Sequence, residues 1–273
     1  VVTSGNATVS SGDFSNTFNV TGLTASTSYD IYVVAEDDEG TPNLQSSVTK
    51  VDATTIAPAN QAPIISDAVA NQTVDDNATV SPFNAITLAD VDGDNVSVTV
   101  ALDTAAKGVF TAASLTSSGF TNAGSGSYTL SSTSLASAQA ALRALVFDAT
   151  DNRVAVNSTE TTTFTITVND GTVNNSNNTT TVVSTSVNDT PTDIALSDAA
   201  YSHSEGSINV VVGSFSSTDA DTGESFTYSL VSGSSDTDNA KFNINGADLR
   251  VTDRASVPAG TYSIRVQVSD GDA

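Results

Sequence analysis

The chain has no cysteine and very little positive charge. Its 273 residues include no Cys, no Met and no Trp, which excludes thiol chemistry and a disulfide framework. Eight Lys and Arg stand against 31 Asp and Glu, which gives a formal net charge of −23 at pH 7. So acidic a surface repels the phosphate backbone of nucleic acids, and we therefore expect no nucleic-acid partner.

Long apolar runs and catalytic motifs are also missing from the sequence. No run approaches the roughly 18 apolar residues of a membrane-spanning helix, so we expect no membrane insertion in this segment. Because the chain lacks an initiating Met, we expect it to be a segment of a longer protein. A single His203, with no Cys nucleophile and no G-x-S-x-G motif, predicts that the chain is not an enzyme.

Alternating short runs fill most of the sequence. Val, Thr and Ile recur at every second position and are bounded by Asn, Asp, Gly and Ser, which is typical of half-buried strands between turns. Examples are "SYDIYVVAED", "NVSVTVAL", "TTTFTITVNDG" and "TYSIRVQVSDG". The exception is "SLASAQAALRAL", in which Leu135, Ala138, Leu142 and Leu145 have helical spacing. The pattern predicts an all-β protein with one short helix in its middle part.

Two proline-containing segments divide the chain. They read "TTIAPANQAP" (residues 54–63) and "VNDTPTD" (residues 187–193), and their composition favours extended linkers. We therefore predict three modules, at residues 1–57, 58–188 and 189–273. Acidic loops containing Asp90 and Asp219 follow Pro63 and Pro191 at nearly equal distances. That agreement indicates that the second and third modules are related.

The modules resemble known repeat families. In the first, "LTASTSY" resembles the end of a fibronectin type III domain, where a tyrosine, here Tyr29, bonds back across a corner. The last module, with "PTDIALSD", "STDADTGESFTYSLVSG" and "YSIRVQVSDGDA", is similar to cadherin-like repeats of large bacterial surface adhesins of the RTX type. The middle module resembles their bacterial Ig-like relatives in "LRALVFDATDNR" and "TTTFTITVNDGT". The resemblance implies tandem Ig-like and cadherin-like β-sandwiches in a linear array, the first partial and the last without its final strand.

The loop "ADVDGDN", residues 89–95, places three aspartates at alternating positions. A helix-loop-helix calcium sensor would need Glu where Ala101 stands and a helix where "VSVTV" reads as a strand, so a sensor is excluded. Calcium takes six to eight oxygen ligands, and alternating carboxylates supply part of such a shell. Alternatively, Asp, Asn and Gly are simply what tight turns require.

The cadherin-like resemblance implies calcium ligands from the base of one module, the linker and the top of the next. At the first junction it predicts that Asp90, Asp92 and Asp94 face Glu36, Asp37 and Asp38. At the second it points to Asn188, Asp189, Glu205, Asp219, Asp221 and Asp253, with Asp170 facing this linker from the preceding module. Asp270 closes the last module as Asp170 closes the middle one, and it is a further candidate. The predicted cofactor is Ca²⁺.

These expectations predict an extracellular or cell-surface structural protein. It would be a calcium-stiffened spacer or stalk of a large bacterial adhesin or surface filament. Its partners would be neighbouring repeats, other copies of the chain, or a cell-surface or glycan ligand. The alternative is a set of carbohydrate-binding accessory modules of a secreted polysaccharide-degrading enzyme, against which stand the lack of Trp and an aromatic content of 6%. A third explanation is that the acidic residues only keep an extracellular protein soluble.

Overall fold

The computed structural model describes residues 20–33, 46–201, 208–253, 255 and 257–271. The chain forms two compact units, Val1–Gln61 and Ala62–Ala273. In the described residues, strands dominate and are accompanied by two short α-helices, which confirms the all-β class. Across the same ranges, none of the helices is both long and apolar enough to cross a membrane.

The first unit contains an antiparallel hairpin of β1 (Ser28–Val33) and β2 (Thr49–Thr54). Tyr29, at the start of β1, accepts a hydrogen bond on its hydroxyl from the N–H of Thr24, with an N···O distance of 2.7 Å. This is the corner bond that the resemblance implies. The assignment of the module to the fibronectin type III family stays a prediction.

The part of the second unit before residue 189 is built around one large sheet. Its strand order is β4-β14-β12-β7-β10-β9, with β13 also paired to β12, and smaller sheets have the orders β5-β11-β8 and β3-β6. All these pairs are antiparallel except β4 and β14, which are parallel. The strands are β3 (Ile64–Ser66), β4 (Gln72–Asp75), β5 (Thr79–Val80), β6 (Thr87–Ala89), β7 (Val96–Leu102), β8 (Gly108–Phe110), β9 (Thr121–Gly124), β10 (Ser127–Thr133), β11 (Phe147–Ala149), β12 (Thr159–Asn169), β13 (Asn174–Asn177) and β14 (Thr181–Thr185).

Two helices pack beside this sheet, α1 (Ala112–Ser118) and α2 (Leu135–Arg143), and there is a 3-10 turn at Ala105–Lys107. The predicted helix is α2, which begins after Ser134, whose side chain accepts from the N–H of Ser137. Helix α1 was not predicted, because "AASLTSS" has no clear apolar face. It is bounded by the side-chain cap of Thr111 and by Gly119 in the left-handed conformation.

Alternation along the strands produces the core. Phe164, Ile166 and Val168 of β12 are fully buried, and the residues between them point outwards. The ring of Phe164 meets that of Phe147 edge-on, with 5.0 Å between centroids and an interplanar angle of 86°. Helix α2 adds the buried Leu142 to the same cluster. The period-two pattern in the sequence therefore marks which side chains form the core.

The remainder of the second unit has two sheets, with orders β15-β16-β19-β18 and β17-β20. A second 3-10 turn occupies Asn239–Lys241. Among the described strands, no pairing crosses residue 188; the predicted module boundaries stay a prediction. The strands are β15 (Asp193–Leu196), β16 (Val210–Thr218), β17 (Thr227–Leu230), β18 (Phe242–Asn245), β19 (Asp248–Val251) and β20 (Val266–Ser269).

Candidate metal centre

The linker between β14 and β15 is hydrogen-bonded on both sides by buried carboxylates. The N–H of Val187 donates to Asp76 Oδ1 at 3.1 Å, and the N–H of Asp189 donates to Asp221 Oδ2 at 2.7 Å. Asp76 directly follows β4, whose parallel pairing with β14 brings it beside the start of the linker. Asp221 follows β16, whose last residue, Thr218, pairs with the first residue of β15. Sheet pairing on each side thus positions both aspartates.

Three carboxylates converge in the loop after β16. Oxygens of Asp219, Asp221 and Glu224 lie within 4.8 Å of one another, and Asp221 is only 8% exposed. Asp219 Oδ1 accepts the N–H of Asp221 at 3.0 Å, which folds the loop into a turn. The other oxygen of Asp219, Oδ2, and Asp221 Oδ1 are both buried and have no hydrogen-bond partner. Buried carboxylate oxygens without a partner are costly, and a bound cation would satisfy them.

Amide side chains connect the linker to both ends of this region. Asn188 donates from Nδ2 to Asp270 Oδ2, immediately after β20, at 3.2 Å. Asn152 donates from Nδ2 to Asp189 Oδ2 at 2.9 Å. Asn152 has a left-handed backbone with φ of 58°, and its N–H donates to Asp76 Oδ2 at 3.1 Å. The linker is therefore bonded to loops that precede it and to a loop that follows it.

Like charges crowd the side of the linker nearest β11. Burial raises the pKa of Asp151, and the neighbouring carboxylates of Asp76, Asp148 and Asp189 raise it further. A raised carboxyl pKa means that the surroundings disfavour a further negative charge. A cation bound near these groups would reverse that effect.

Four of the residues predicted for the second junction are brought together, namely Asn188, Asp189, Asp219 and Asp221, and the further candidate Asp270 lies with them. The prediction that Asp170 faces this linker was wrong. The first residue of β12, Thr159, pairs with Thr185 beside the linker, and the last, Asn169, pairs with Ser97. Since β12 has eleven residues, at about 3.3 Å each its ends lie roughly 30 Å apart. Asp170 therefore lies at the far end of the sheet, where its Oδ1 accepts the N–H groups of Thr172 and Val173.

Asp253 is also distant from the cluster. It follows β19, whose last residue, Val251, pairs with Val210 at the start of β16, whereas Asp219 follows the end of β16. Its Oδ1 accepts the N–H of Ala255 at 2.9 Å. Four further candidates lie outside the described residues, namely Glu36, Asp37, Asp38 and Glu205.

The loop after β6 is folded as a turn. Asp90 Oδ1 accepts the N–H of Asp92 at 2.9 Å and that of Gly93 at 3.2 Å. Asp90 Oδ2 is buried and has no hydrogen-bond partner, while Asp92 and Asp94 are exposed. That these three aspartates bind an ion stays a prediction.

Sequence reasoning missed five polar residues of this region: Asp76, Asp148, Asp151, Asn152 and Glu224. Glu224 stands in "TDADTGE", in the same loop as the predicted ligands Asp219 and Asp221. The others occur in "VDDN" and "DATDN", where acidic residues follow or lie within short strands. The same signal selected Asp170, but only the sheet topology shows which strand ends lie at the linker.

Comparison with known proteins gave structural neighbours only. No family model and no curated protein matches the chain. Drosophila N-cadherin EC1–4 is similar at 15% identity and a TM-score of 0.42, with 91% of this chain and 55% of that chain covered. Protocadherin gammaB7 EC3–6 is similar at 17% identity and a TM-score of 0.35, with 89% and 55% covered. Mouse cadherin-23 EC22–24 is similar at 19% identity and a TM-score of 0.34, with 72% and 57% covered.

The match thus spans just over half the length of each of these structures. At such identities and TM-scores the likeness carries no argument about function.

Proposed function

We propose that this chain is a structural, non-catalytic spacer segment of a large extracellular bacterial adhesin or surface filament, stiffened by Ca²⁺ at the linker of residues 187–189. One observation carries the proposal. Asp219 Oδ2 and Asp221 Oδ1 are buried without a hydrogen-bond partner, next to a linker that Asp221 itself holds. Two such oxygens in one loop can act as ligands of a bound cation.

The donor set favours calcium over other metals. The converging side chains are carboxylates, whereas zinc sites use Cys and His and the chain has no Cys. Calcium accepts six to eight oxygens in flexible geometry, which suits an irregular loop, while magnesium requires a near-ideal octahedron and keeps several waters. Asp219, Asp221 and Glu224 would hold the ion, and the ion would supply the positive charge that offsets their repulsion.

Asp221 connects such a site to the linker. Its Oδ2 accepts the N–H of Asp189, so any factor that orders the Asp221 side chain also orders the linker backbone. Asn188 extends the connection to the loop after β20 through Asp270. Without the ion, three close carboxylates repel one another, and the loop that holds Asp189 becomes less ordered.

The carbohydrate-binding alternative has less support. The large rings of the middle part, including Phe83, Tyr128 and Phe147, are fully buried in the core and cannot stack on a sugar. Tyr32, which is 62% exposed, remains available. A glycan array tests this alternative, which would be favoured by binding that is lost in Tyr32→Ala.

The experiment compares small-angle scattering and thermal melting of the whole chain in about 10 mM calcium and in chelator. For a weak extracellular site with a dissociation constant near 10⁻⁴ M, we expect about 2.7 kcal/mol of stabilisation and a narrower distribution of conformations with calcium. Magnesium at the same ionic strength is the control for screening. Identical scattering and melting with calcium and with chelator would refute stiffening by calcium and would favour an acidic spacer without a bound ion.

A further inference from the structure

We infer that helix α2 takes the place of a neighbouring strand along β6 and thereby positions the loop that follows β6. Among the described strands, β6 pairs with β3 alone. Along its other edge, Gln139 and Arg143 of α2 form hydrogen bonds with its backbone or with the residue just before it. The loop begins at Asp90 and carries the three aspartates predicted for the first junction, and neither contact involves any of them.

The backbone groups at this edge point to where a further strand would pair. Ile86 and Leu88 are two residues apart, so their N–H and C=O groups face the same side of the chain. Both residues are buried, with 1% and 7% of their surface exposed. A buried backbone group without a hydrogen-bond partner is costly. The edge therefore requires either another strand or a substitute for one.

Two side chains of α2 supply the missing partners. Gln139 Oε1 accepts the N–H of Leu88 at 2.9 Å. Arg143 donates from Nε to the carbonyl of Ile86 at 2.7 Å and from Nη2 to that of Ala85 at 3.4 Å. An acceptor thus faces an N–H group and donors face carbonyls, as they do between paired strands.

The spacing of these side chains matches the repeat of a strand. Residues four apart lie on one face of a helix, about 6 Å apart along its axis, and residues two apart on a strand are separated by about 6.6 Å. Gln139 contacts Leu88 and Arg143 contacts Ile86, so α2 runs antiparallel to β6. Strand β3 runs antiparallel to β6 on the opposite edge. One turn of helix therefore spans the same length of β6 that a paired strand would.

Other features of α2 agree with this role. Ala138 and Leu142, each one position before a bonding residue, are fully buried in the core and fix which face of the helix meets the sheet. Arg143 is one of only eight Lys and Arg in a chain with 31 acidic residues, yet its guanidinium bonds carbonyls. In the described part of the chain it takes part in no ion pair.

The loop after β6 depends on where this strand lies. Strand β6 has only three residues, and Asp90 follows directly. Asp90 Oδ1 accepts the N–H groups of Asp92 and Gly93, so the turn is tied to the end of the strand. A movement of β6 away from α2 therefore moves the turn. Gln139 and Arg143 are positioning residues for this loop.

Amide hydrogen exchange of the whole chain, measured by NMR in chelator, tests the contact between α2 and β6. In Gln139→Met the side chain keeps its length but loses its acceptor, so the N–H of Leu88 should exchange at least about tenfold faster. Gln139→Glu keeps an acceptor and should leave Leu88 protected. Ala140→Met places the same side chain at an exposed position of α2 and should also leave it protected. Exchange at Ile166 in the core reports global unfolding, and Gln139→Ala replaces Gln139→Met if that variant does not fold.

Amide chemical shifts in the same samples test the positioning of the loop. Arg143→Met removes the donors at this edge, as Gln139→Met removes the acceptor. Both variants should shift the N–H resonances of Asp92 and Gly93. Ala140→Met should leave these resonances unchanged.

Two results would overturn these roles of α2. Equal exchange of Leu88 in Gln139→Met and Ala140→Met would show that α2 does not substitute for a strand. Faster exchange of Leu88 with unchanged resonances of Asp92 and Gly93 would show that α2 does not position the loop. Because chelator is present throughout, failure of the proposed calcium site would alter none of these expectations.

Discussion

Replacement of Asp221 by Asn should weaken calcium binding and leave the fold intact. The Asn side chain keeps a carbonyl oxygen that can accept the N–H of Asp189. It removes one of the three converging charges, and with it a negatively charged oxygen of the kind that calcium prefers as a ligand. If the dissociation constant for calcium rises about 100-fold from about 10⁻⁴ M, the stabilisation by about 10 mM calcium drops from about 2.7 to about 0.4 kcal/mol. At about 2–4 °C per kcal/mol, the calcium-induced rise in Tm should fall from about 5–11 °C to about 1–2 °C.

The assay is thermal unfolding of both proteins with calcium and with chelator. In chelator, Asp221→Asn should melt at the same temperature as the wild type or slightly higher, because it relieves repulsion from Asp219 and Glu224. The exposed Asp198, whose loss changes the net charge equally, provides the matched control Asp198→Asn. A full calcium-induced shift in Asp221→Asn would refute the assignment of this residue as a ligand.

Two further predictions concern stability of the middle part. Arg153 donates from Nε and Nη2 to Glu160 at 2.7 and 3.1 Å, and this hydrogen bonding lowers the pKa of Glu160. Because the folded pKa lies below the unfolded value of about 4.3, the stabilisation is complete above that value and is lost as the pH falls through the folded pKa. Glu160→Gln should therefore cost about 1 kcal/mol in urea denaturation at pH 7 and almost nothing near pH 3, and an equal deficit at both would contradict this reasoning. Phe164→Ala, which removes a fully buried ring, should lower the free energy of unfolding by about 3–5 kcal/mol in the same assay. Thr165→Ala, on the outer face of the same strand, should lower it by less than about 1 kcal/mol. A loss below about 2 kcal/mol for Phe164→Ala would contradict the packing described.

Local patterns predicted the strands and the core well. Phe164, Ile166 and Val168 alternate with outward residues in "TFTITV", and the structure buries all three. Helix α2 followed from the spacing of Leu135, Ala138 and Leu142. Helix α1 could not be predicted in the same way, since its stability depends on the caps at its two ends more than on an apolar face.

The candidate site was harder to predict because its residues are distant in sequence. Asp170 and Asp76 both follow strands, and only the direction of each strand decides which one reaches the linker. Strand β4 runs parallel to β14, through contacts between residues more than 100 positions apart, so Asp76 at its end lies at the linker. Strand β12 runs antiparallel to β14, so Asp170 at its end lies at the opposite end of the sheet. In contrast, Asp219 and Asp221 lie in a single loop, and there the sequence alone selected two of the three carboxylates that the structure brings together.

The most direct test of a calcium site in the loop after β16 is the anomalous signal of a crystal grown with saturating calcium. We expect an ion within about 2.3–2.6 Å of Asp219 Oδ2 and Asp221 Oδ1, with the N–H of Asp189 still donating to Asp221 Oδ2. Hydrogen bonding of these two oxygens to water or protein, with no ion bound at the same calcium concentration, would contradict the proposed site.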